Sequence, residues 1–384
     1  MNKKFQTGKV VTVSISHLVH DTYTAFLAPM LPLLIAKLGI SLSMAGMLDI
    51  IRKIPSLLNP LIGLLADKIC VKYIVILTPA VTSISMSLLG VAPNYPILFI
   101  LLFVTGLSST LFHVPSPVMI KEFSGDKTAT GMSFFMFGGE MARTLGPLLI
   151  TWALSVWGLE GSWRVMPIGL LASLILYFKL RDVSALHRNG NTNDKISAAA
   201  TLKALAPVFA CIFGFQFFRA AMKSALTLYM PTYLMMNGES LWFAGISLSV
   251  LQFAGAAGTF GTGYISDKIT HRNTLLITAL FSPLVMWGFI YTESWLMLPL
   301  LVVLGFLLFA SGPVMLALVQ ETNTARPAFV NSIYMTINFS ISSVMVLAVG
   351  FSGDMLGLLL TYKISAGLAI LAVPFVFILP KRRK

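Results

Sequence analysis

Twelve apolar stretches run through this chain between residues 10 and 380, near 10–38, 44–66, 73–92, 96–120, 128–157, 163–180, 204–235, 241–266, 273–292, 295–319, 327–350 and 357–380. At about 1.5 Å of rise per helical residue, most are long enough to cross a hydrocarbon core of about 30 Å. Composition agrees with that pattern. Hydrophobic residues make up 57% of the chain and charged residues 11%, against about 25% charged in soluble domains. No soluble globule has the interior to bury so much apolar side chain, so a low-dielectric solvent must cover the outside. An all-α membrane protein with twelve transmembrane helices is expected. A soluble enzyme, a nucleic-acid-binding domain and a secreted disulfide scaffold are excluded. The only cysteines, Cys70 and Cys211, are far apart and read as small buried apolar residues, with no thiolate metal site.

The net charge of +13 lies in short basic clusters between apolar runs, not along one face. With both termini cytoplasmic, the inner loops and tails hold 19 of the 27 Lys and Arg, ending in Lys381-Arg382-Arg383-Lys384, while the outer side holds Lys37, Arg164 and Lys363. That asymmetry is the positive-inside pattern. Trp157, Trp163, Trp242 and Trp295 fall at the outer boundaries, where amphipathic indoles settle. The lysines Lys3, Lys4 and Lys9 precede the first run without a small-residue cleavage site after it, so the first run reads as a spanning helix rather than a signal peptide.

Six spans, a polar linker and six more spans give the expected organisation: residues 1–180 as an N-terminal half, 181–203 as a cytoplasmic linker, and 204–384 as a C-terminal half. The halves repeat. Gly63-Leu64-Leu65-Ala66-Asp67-Lys68 closes span 2, and Gly263-Tyr264-Ile265-Ser266-Asp267-Lys268 closes span 8 at an offset of 200. Pro32 matches Pro231, and Gly106 matches Gly305, both at an offset of 199. A near-constant offset across three helix pairs indicates duplication, the parallel repeat of many secondary transporters.

The paired G-x-x-x-D-K turns resemble the loop signature of the major facilitator superfamily over the whole chain. The resemblance implies two six-helix halves and assigns Asp67, Lys68, Asp267 and Lys268 to a gate that holds cytoplasmic helix ends together in one conformation. Three further segments resemble the fosmidomycin resistance protein group of that superfamily: His17-Leu18-Val19-His20-Asp21, Ser108-Ser109-Thr110-Leu111-Phe112-His113, and Gly138-Gly139 through Leu145-Gly146-Pro147-Leu148-Leu149. That resemblance implies export of a phosphonate antibiotic driven by the proton gradient. The chain departs from the group where Glu140 and Arg143 stand in span 5.

Charged side chains within a span cost kilocalories each and usually face a cavity or one another. Span 1 has His17, His20 and Asp21; span 2 has Asp49, Arg52 and Lys53; span 5 has Glu140 and Arg143; span 7 has Gln216, Arg219 and Lys223. Asp49 lies three and four residues from Arg52 and Lys53, and Glu140 lies three from Arg143, spacings that allow pairing along one helix face. Arg219 and Lys223 have the same sign and no carboxylate nearby on their own helix. Five cations against three carboxylates favour an anionic substrate, and arginine matches a phosphonate, phosphate or carboxylate with a two-pronged fork. Cross-helix neutralisation, with Asp21 against Arg219, is the structural alternative.

The expected substrate ligands are therefore Arg52, Lys53, Arg143, Arg219, Lys223, Gln216 and Asn338. The expected proton-coupling groups are Asp21, Glu140, His17, Asp49 and His113, because burial and neighbouring charge move carboxyl and imidazole titrations into an accessible range. No cofactor, metal or catalytic residue is expected: HExxH and G-x-S-x-G motifs are absent. The sequence reads as a proton-coupled exporter of a small or amphipathic organic anion, working by alternating access as a monomer in a bacterial inner membrane. Coupled uptake of an anionic metabolite, or multidrug export, would use the same scaffold.

Overall fold

The computed structural model describes residues 5–59, 62, 72–181, 198–320 and 327–378. Among them every regular element is helical. The first span is broken in two, α1 (Thr7–Thr24) and α2 (Leu27–Leu38), the second ending at Gly39, whose φ of 61° is the left-handed conformation that terminates helices. There follow α3 (Leu42–Lys53), α4 (Lys72–Ser87), α5 (Tyr95–His113), α6 (Ser116–Ser124), α7 (Thr128–Trp157) and α8 (Met166–Leu180). Asn94 starts α5 by accepting the Ile97 backbone N–H at 3.1 Å.

Next come α9 (Ala198–Ser224), which begins inside the expected linker of 181–203, α10 (Met230–Met236), α11 (Leu241–Ile269), α12 (His271–Ile290), α13 (Met297–Gln320), α14 (Pro327–Leu356), α15 (Leu358–Ala369) and α16 (Val373–Phe377). A π-helical segment, Ala225–Tyr229, joins α9 to α10 within one span.

Ten helical segments among the described residues are long and apolar enough to cross a membrane. The two remaining spans of the twelve are those carrying the Arg and Lys ion pairs with Asp49 and Glu140. The 30-residue helix α7 has Glu140 and Arg143 in its middle, which lower its mean hydropathy. The span begun by α3 carries Asp49, Arg52 and Lys53 and runs on into residues outside the described set.

Two compact units are present. One comprises residues 1–40, 47–191 and 240–249; the other comprises 41–46, 192–239 and 250–384. The first has a core of Val10, Val13, Ile76, Phe112, Phe123 and Phe135 with their neighbours, and the second one of Phe209, Ile212, Phe215, Leu275, Val314 and Tyr334. Cys211 lies in that second core and is buried; Cys70 lies outside the described residues. Outward faces carry large apolar side chains such as Leu77, Phe178, Leu284 and Phe351, which only lipid can cover.

The duplication is visible in the packing. A Cβ on Gly106 of α5 would sit 2.0 Å from the Arg52 carbonyl oxygen of α3, and one on Gly305 of α13 would sit 2.3 Å from the Leu251 carbonyl oxygen of α11. The two glycines, and likewise the two carbonyl residues, are 199 positions apart, so the sequence offset marks an equivalent close helix crossing in each unit. Small residues let transmembrane helices approach this closely. Gly106→Ala is expected to force α3 and α5 apart and lower stability by at least ~1–3 kcal/mol, as overpacking does, read as a fall in melting temperature of the detergent-solubilised protein; an unchanged melting temperature contradicts this account of the crossing.

Candidate transport site

In the first unit, α1 packs along α7, and Gly138 and Gly139 make that contact possible. A Cβ on Gly138 would lie 2.5 Å from the Ser14 carbonyl oxygen, and one on Gly139 would lie 2.6 Å from His17 Cε1. The His17 ring therefore fills the space that a side chain at position 139 would occupy. It stacks on Phe135 with ring centroids 4.0 Å apart, and its Nδ1 lies 2.8 Å from the Phe135 carbonyl oxygen.

One turn along α1, Asp21 is buried and surrounded by imidazoles. His17 Nε2 lies 3.2 Å from Oδ2, His20 Nδ1 lies 3.0 Å from Oδ1, and His113 Nε2, from the end of α5, lies 3.0 Å from the same Oδ1. His17 and His20 are buried as well, whereas the His113 side chain is 38% exposed. His20 stacks on Phe112 and turns its Nε2 to the Thr82 hydroxyl of α4 at 3.0 Å. From there hydroxyl contacts continue to Ser108 at 2.8 Å and to the Thr78 carbonyl at 3.0 Å. Donor atoms of His17, Asp21 and His113 all lie within 4.8 Å of one another. The carboxylate oxygen facing His113 is already shared with His20, and the group forms a hydrogen-bonded cluster.

The other charges of the first unit pair along their own helices, as their spacing suggests. Arg52 donates to Asp49 at 2.7 Å, and Lys53 lies 2.5 Å from the other Asp49 oxygen. Arg52 also approaches the Thr24 carbonyl at 3.4 Å, while its Nε is buried without a hydrogen-bond partner. Arg143 donates to Glu140 at 2.8 Å, with the arginine half exposed. One carboxylate thus serves two cations on α3, and the pair on α7 is balanced.

In the second unit, Arg219 of α9 is buried at 4% exposure. Its Nη2 donates to Ser282 Oγ of α12 at 3.1 Å and to the Leu307 carbonyl of α13 at 3.2 Å. Ser282 can accept because its own hydroxyl hydrogen goes to the Thr278 carbonyl. The guanidinium lies 5.0 Å from the Phe215 ring centroid, and Nε is buried with no hydrogen-bond partner. No carboxylate among the described residues lies within ion-pair distance of Arg219. One turn on, the Lys223 ammonium lies 5.1 Å from the Phe309 ring centroid. Gln216 donates to the Met315 sulfur at 3.3 Å, and Asn338 is half-buried on α14.

Of the gate residues, Asp67 and Lys68 lie outside the described residues, as does the side chain of Asp267. Lys268 is exposed, its ammonium 4.3 Å from the Tyr264 ring centroid. A groove of about 450 Å³ in the first unit is lined by Leu18, Thr22, Leu145, Leu148, Trp152 and Trp242 among others. It contains no charged group and offers nothing to hold an anion.

The sequence placed His20 in the charged group of span 1 and Ser108 in a resembling segment without giving either a proton-coupling role, and it did not single out Thr82, the Phe135 carbonyl or Ser282. His20 adjoins Asp21 in sequence, and adjacent helical residues do not normally face each other. The others contribute through contacts between helices far apart in the chain, which no local spacing reveals.

Comparison with known proteins places this geometry in a family. The model of the Major Facilitator Superfamily matches residues 13–347. The chain is similar to the fosmidomycin resistance protein of Escherichia coli strain K12, with 26% identity across 98% of this chain and 94% of that one. Among solved structures it is similar to a bacterial homologue of the human lysosomal transporter Spinster, with a TM-score of 0.84, 16% identity and coverage of 98% of this chain and 97% of the other. It is also similar to the D-xylose–proton symporter, with a TM-score of 0.76, 15% identity and coverage of 97% and 98%. The chain belongs to the Major Facilitator Superfamily: it is a twelve-helix membrane transporter of small solutes, not an enzyme.

Proposed function

We propose that the protein exports a small organic anion, of phosphonate, phosphate or carboxylate type, in exchange for protons. It works as a monomer in a bacterial inner membrane with both termini in the cytoplasm. The observation that carries this reading is Arg219: a buried guanidinium held by two neutral oxygens, with no carboxylate in ion-pair range among the described residues and one N–H unbonded. A buried charge without a counter-ion is costly, and an anionic substrate is the group that would supply one. Basic residues concentrated on one side of the spans support the orientation. Kinship with a protein named for resistance to fosmidomycin supports export.

Arg52, Lys53, Arg143 and Lys223 extend the cationic surface, with Gln216 and Asn338 as neutral ligands. Asp21, backed by His17 and His113, is the principal proton carrier. Asp49 and Glu140 serve as second carriers, since a carboxylate whose basic partner turns toward the substrate is left free to take a proton. Asp67, Lys68, Asp267 and Lys268 close the cytoplasmic side.

The test is a thermal-shift screen of the purified protein against phosphonates, phosphates, carboxylates and lipophilic cations, run beside Arg219→Gln. A ligand that binds only the folded state raises the melting temperature with concentration. Anions are expected to stabilise the wild type and leave Arg219→Gln unshifted. Stabilisation by cations alone, or equal shifts in both proteins, would remove the anion site.

A further inference from the structure

The hydrogen bonds around Asp21 show where the cluster must hold a proton. A carbonyl oxygen only accepts, so the 2.8 Å contact between His17 Nδ1 and the Phe135 carbonyl places a hydrogen on Nδ1. A neutral imidazole has one N–H, so Nε2 of a neutral His17 would present a lone pair. That lone pair would face Asp21 Oδ2 at 3.2 Å, and an ionised carboxylate is itself acceptor-only. Two acceptors at that distance in a buried site repel, and a proton between them turns the contact into a charge-assisted hydrogen bond.

The other two imidazoles differ from each other. Neutral His113 can donate from Nε2 to Oδ1, and its other nitrogen is not called upon. For His20, the Thr82 hydroxyl donates to Ser108 and Ser108 donates to the Thr78 carbonyl, so His20 Nε2 donates to Thr82 and its Nδ1 contact with Oδ1 calls for a hydrogen as well. The titratable groups in contact with Asp21 are His17 and His20 on its own helix and His113 on α5. From α7, Glu140 and Arg143 are paired with each other, and α4 contributes the neutral Thr82.

We infer that the cluster stores a proton on the line between His17 Nε2 and Asp21 Oδ2, with the Phe135 carbonyl as the positioning group that keeps it there. As a statement of which proton is exchanged, this rests on the proton-coupled reading above. His113 is the exchange route, because it touches the same carboxylate and is the one partly exposed member. Loss of the proton also has a mechanical consequence. The ring cannot swing aside, being stacked on Phe135 and backed by Gly139. Deprotonation leaves His17 with one hydrogen for two acceptors, so either the Asp21 contact or the Phe135 contact turns repulsive. The second outcome loosens α1 from α7, which links the proton to helix movement.

The sequence contains five histidines, few enough to assign by single substitution. The experiment is ¹⁵N NMR of the full chain labelled at histidine in lipid nanodiscs, across a pH titration, with proton flux recorded separately in liposomes carrying a gradient of a small phosphonate. The expected result is a His17 that is either doubly protonated or protonated at Nδ1 with Nε2 accepting, while His113 stays neutral. In the titration, one proton is lost at the His17–Asp21 contact. A neutral His17 protonated at Nε2, or a charged His113, would overturn the assignment even if liposomes show coupled flux. The expected His17 signals with no proton flux would uphold the site and sink the coupling reading instead.

Discussion

Arg219→Gln should reduce anion binding and transport by at least about 100-fold, while the protein still inserts and elutes as the wild type does. The factor corresponds to ~3 kcal/mol, within the range for removing one partner of a desolvated charge pair. Folding survives because glutamine keeps a donor for Ser282 Oγ and the Leu307 carbonyl, the two groups that hold the guanidinium. The substitution also removes a buried charge that has no counter-ion among the described residues, so the empty protein should be no less stable, and its melting temperature equal or higher. Arg219→Lys separates charge from shape. It keeps the positive charge but loses the planar fork, and an intermediate loss of about tenfold is expected. Binding assays on the three proteins check the series; equal affinities would mean that Arg219 is structural.

Asp21→Asn is expected to abolish proton-driven transport, again by about 100-fold or more, and to leave anion binding largely intact. An amide cannot exchange a proton in the accessible range, yet it can hydrogen-bond imidazoles with the same geometry. The separation follows from where the groups lie: Asp21 contacts histidines of the first unit, whereas Arg219 contacts Ser282 and Leu307 of the second. Counterflow of labelled anion, which needs no net proton movement, should survive in Asp21→Asn while gradient-driven accumulation is lost. Loss of both together would make Asp21 a binding or folding residue rather than a proton carrier.

Fold class was legible before any coordinates because it rests on additive properties. Apolar runs of spanning length, basic loops on one side and a repeat offset near 200 each sum over many residues, so no single misreading matters. The offset proved geometric, since Gly106 and Gly305 meet the carbonyls of Arg52 and Leu251 in equivalent crossings. Short-range pairing was equally legible: Asp49 with Arg52 and Lys53, Glu140 with Arg143, and His17 with Asp21 all follow from three- and four-residue spacing on a helix.

What spacing could not give was the partner on another helix. Asp21 against Arg219 was a reasonable charge-balance alternative. In the structure, histidines from α1 and α5 enclose the carboxylate, and serine and carbonyl oxygens hold the guanidinium. The role of the Phe135 carbonyl was invisible for a deeper reason. A backbone oxygen has no sequence identity, and only packing permitted by Gly138 and Gly139 brings His17 within reach of it.

The measurement that bears most directly on coupled anion transport uses liposomes containing the purified protein and an internal pH-sensitive dye, with a small phosphonate added on one side. Downhill anion movement should change the internal pH in the wild type, and the change should vanish in both Arg219→Gln and Asp21→Asn. Anion movement with no pH change, or a pH change that neither substitution alters, would contradict the account.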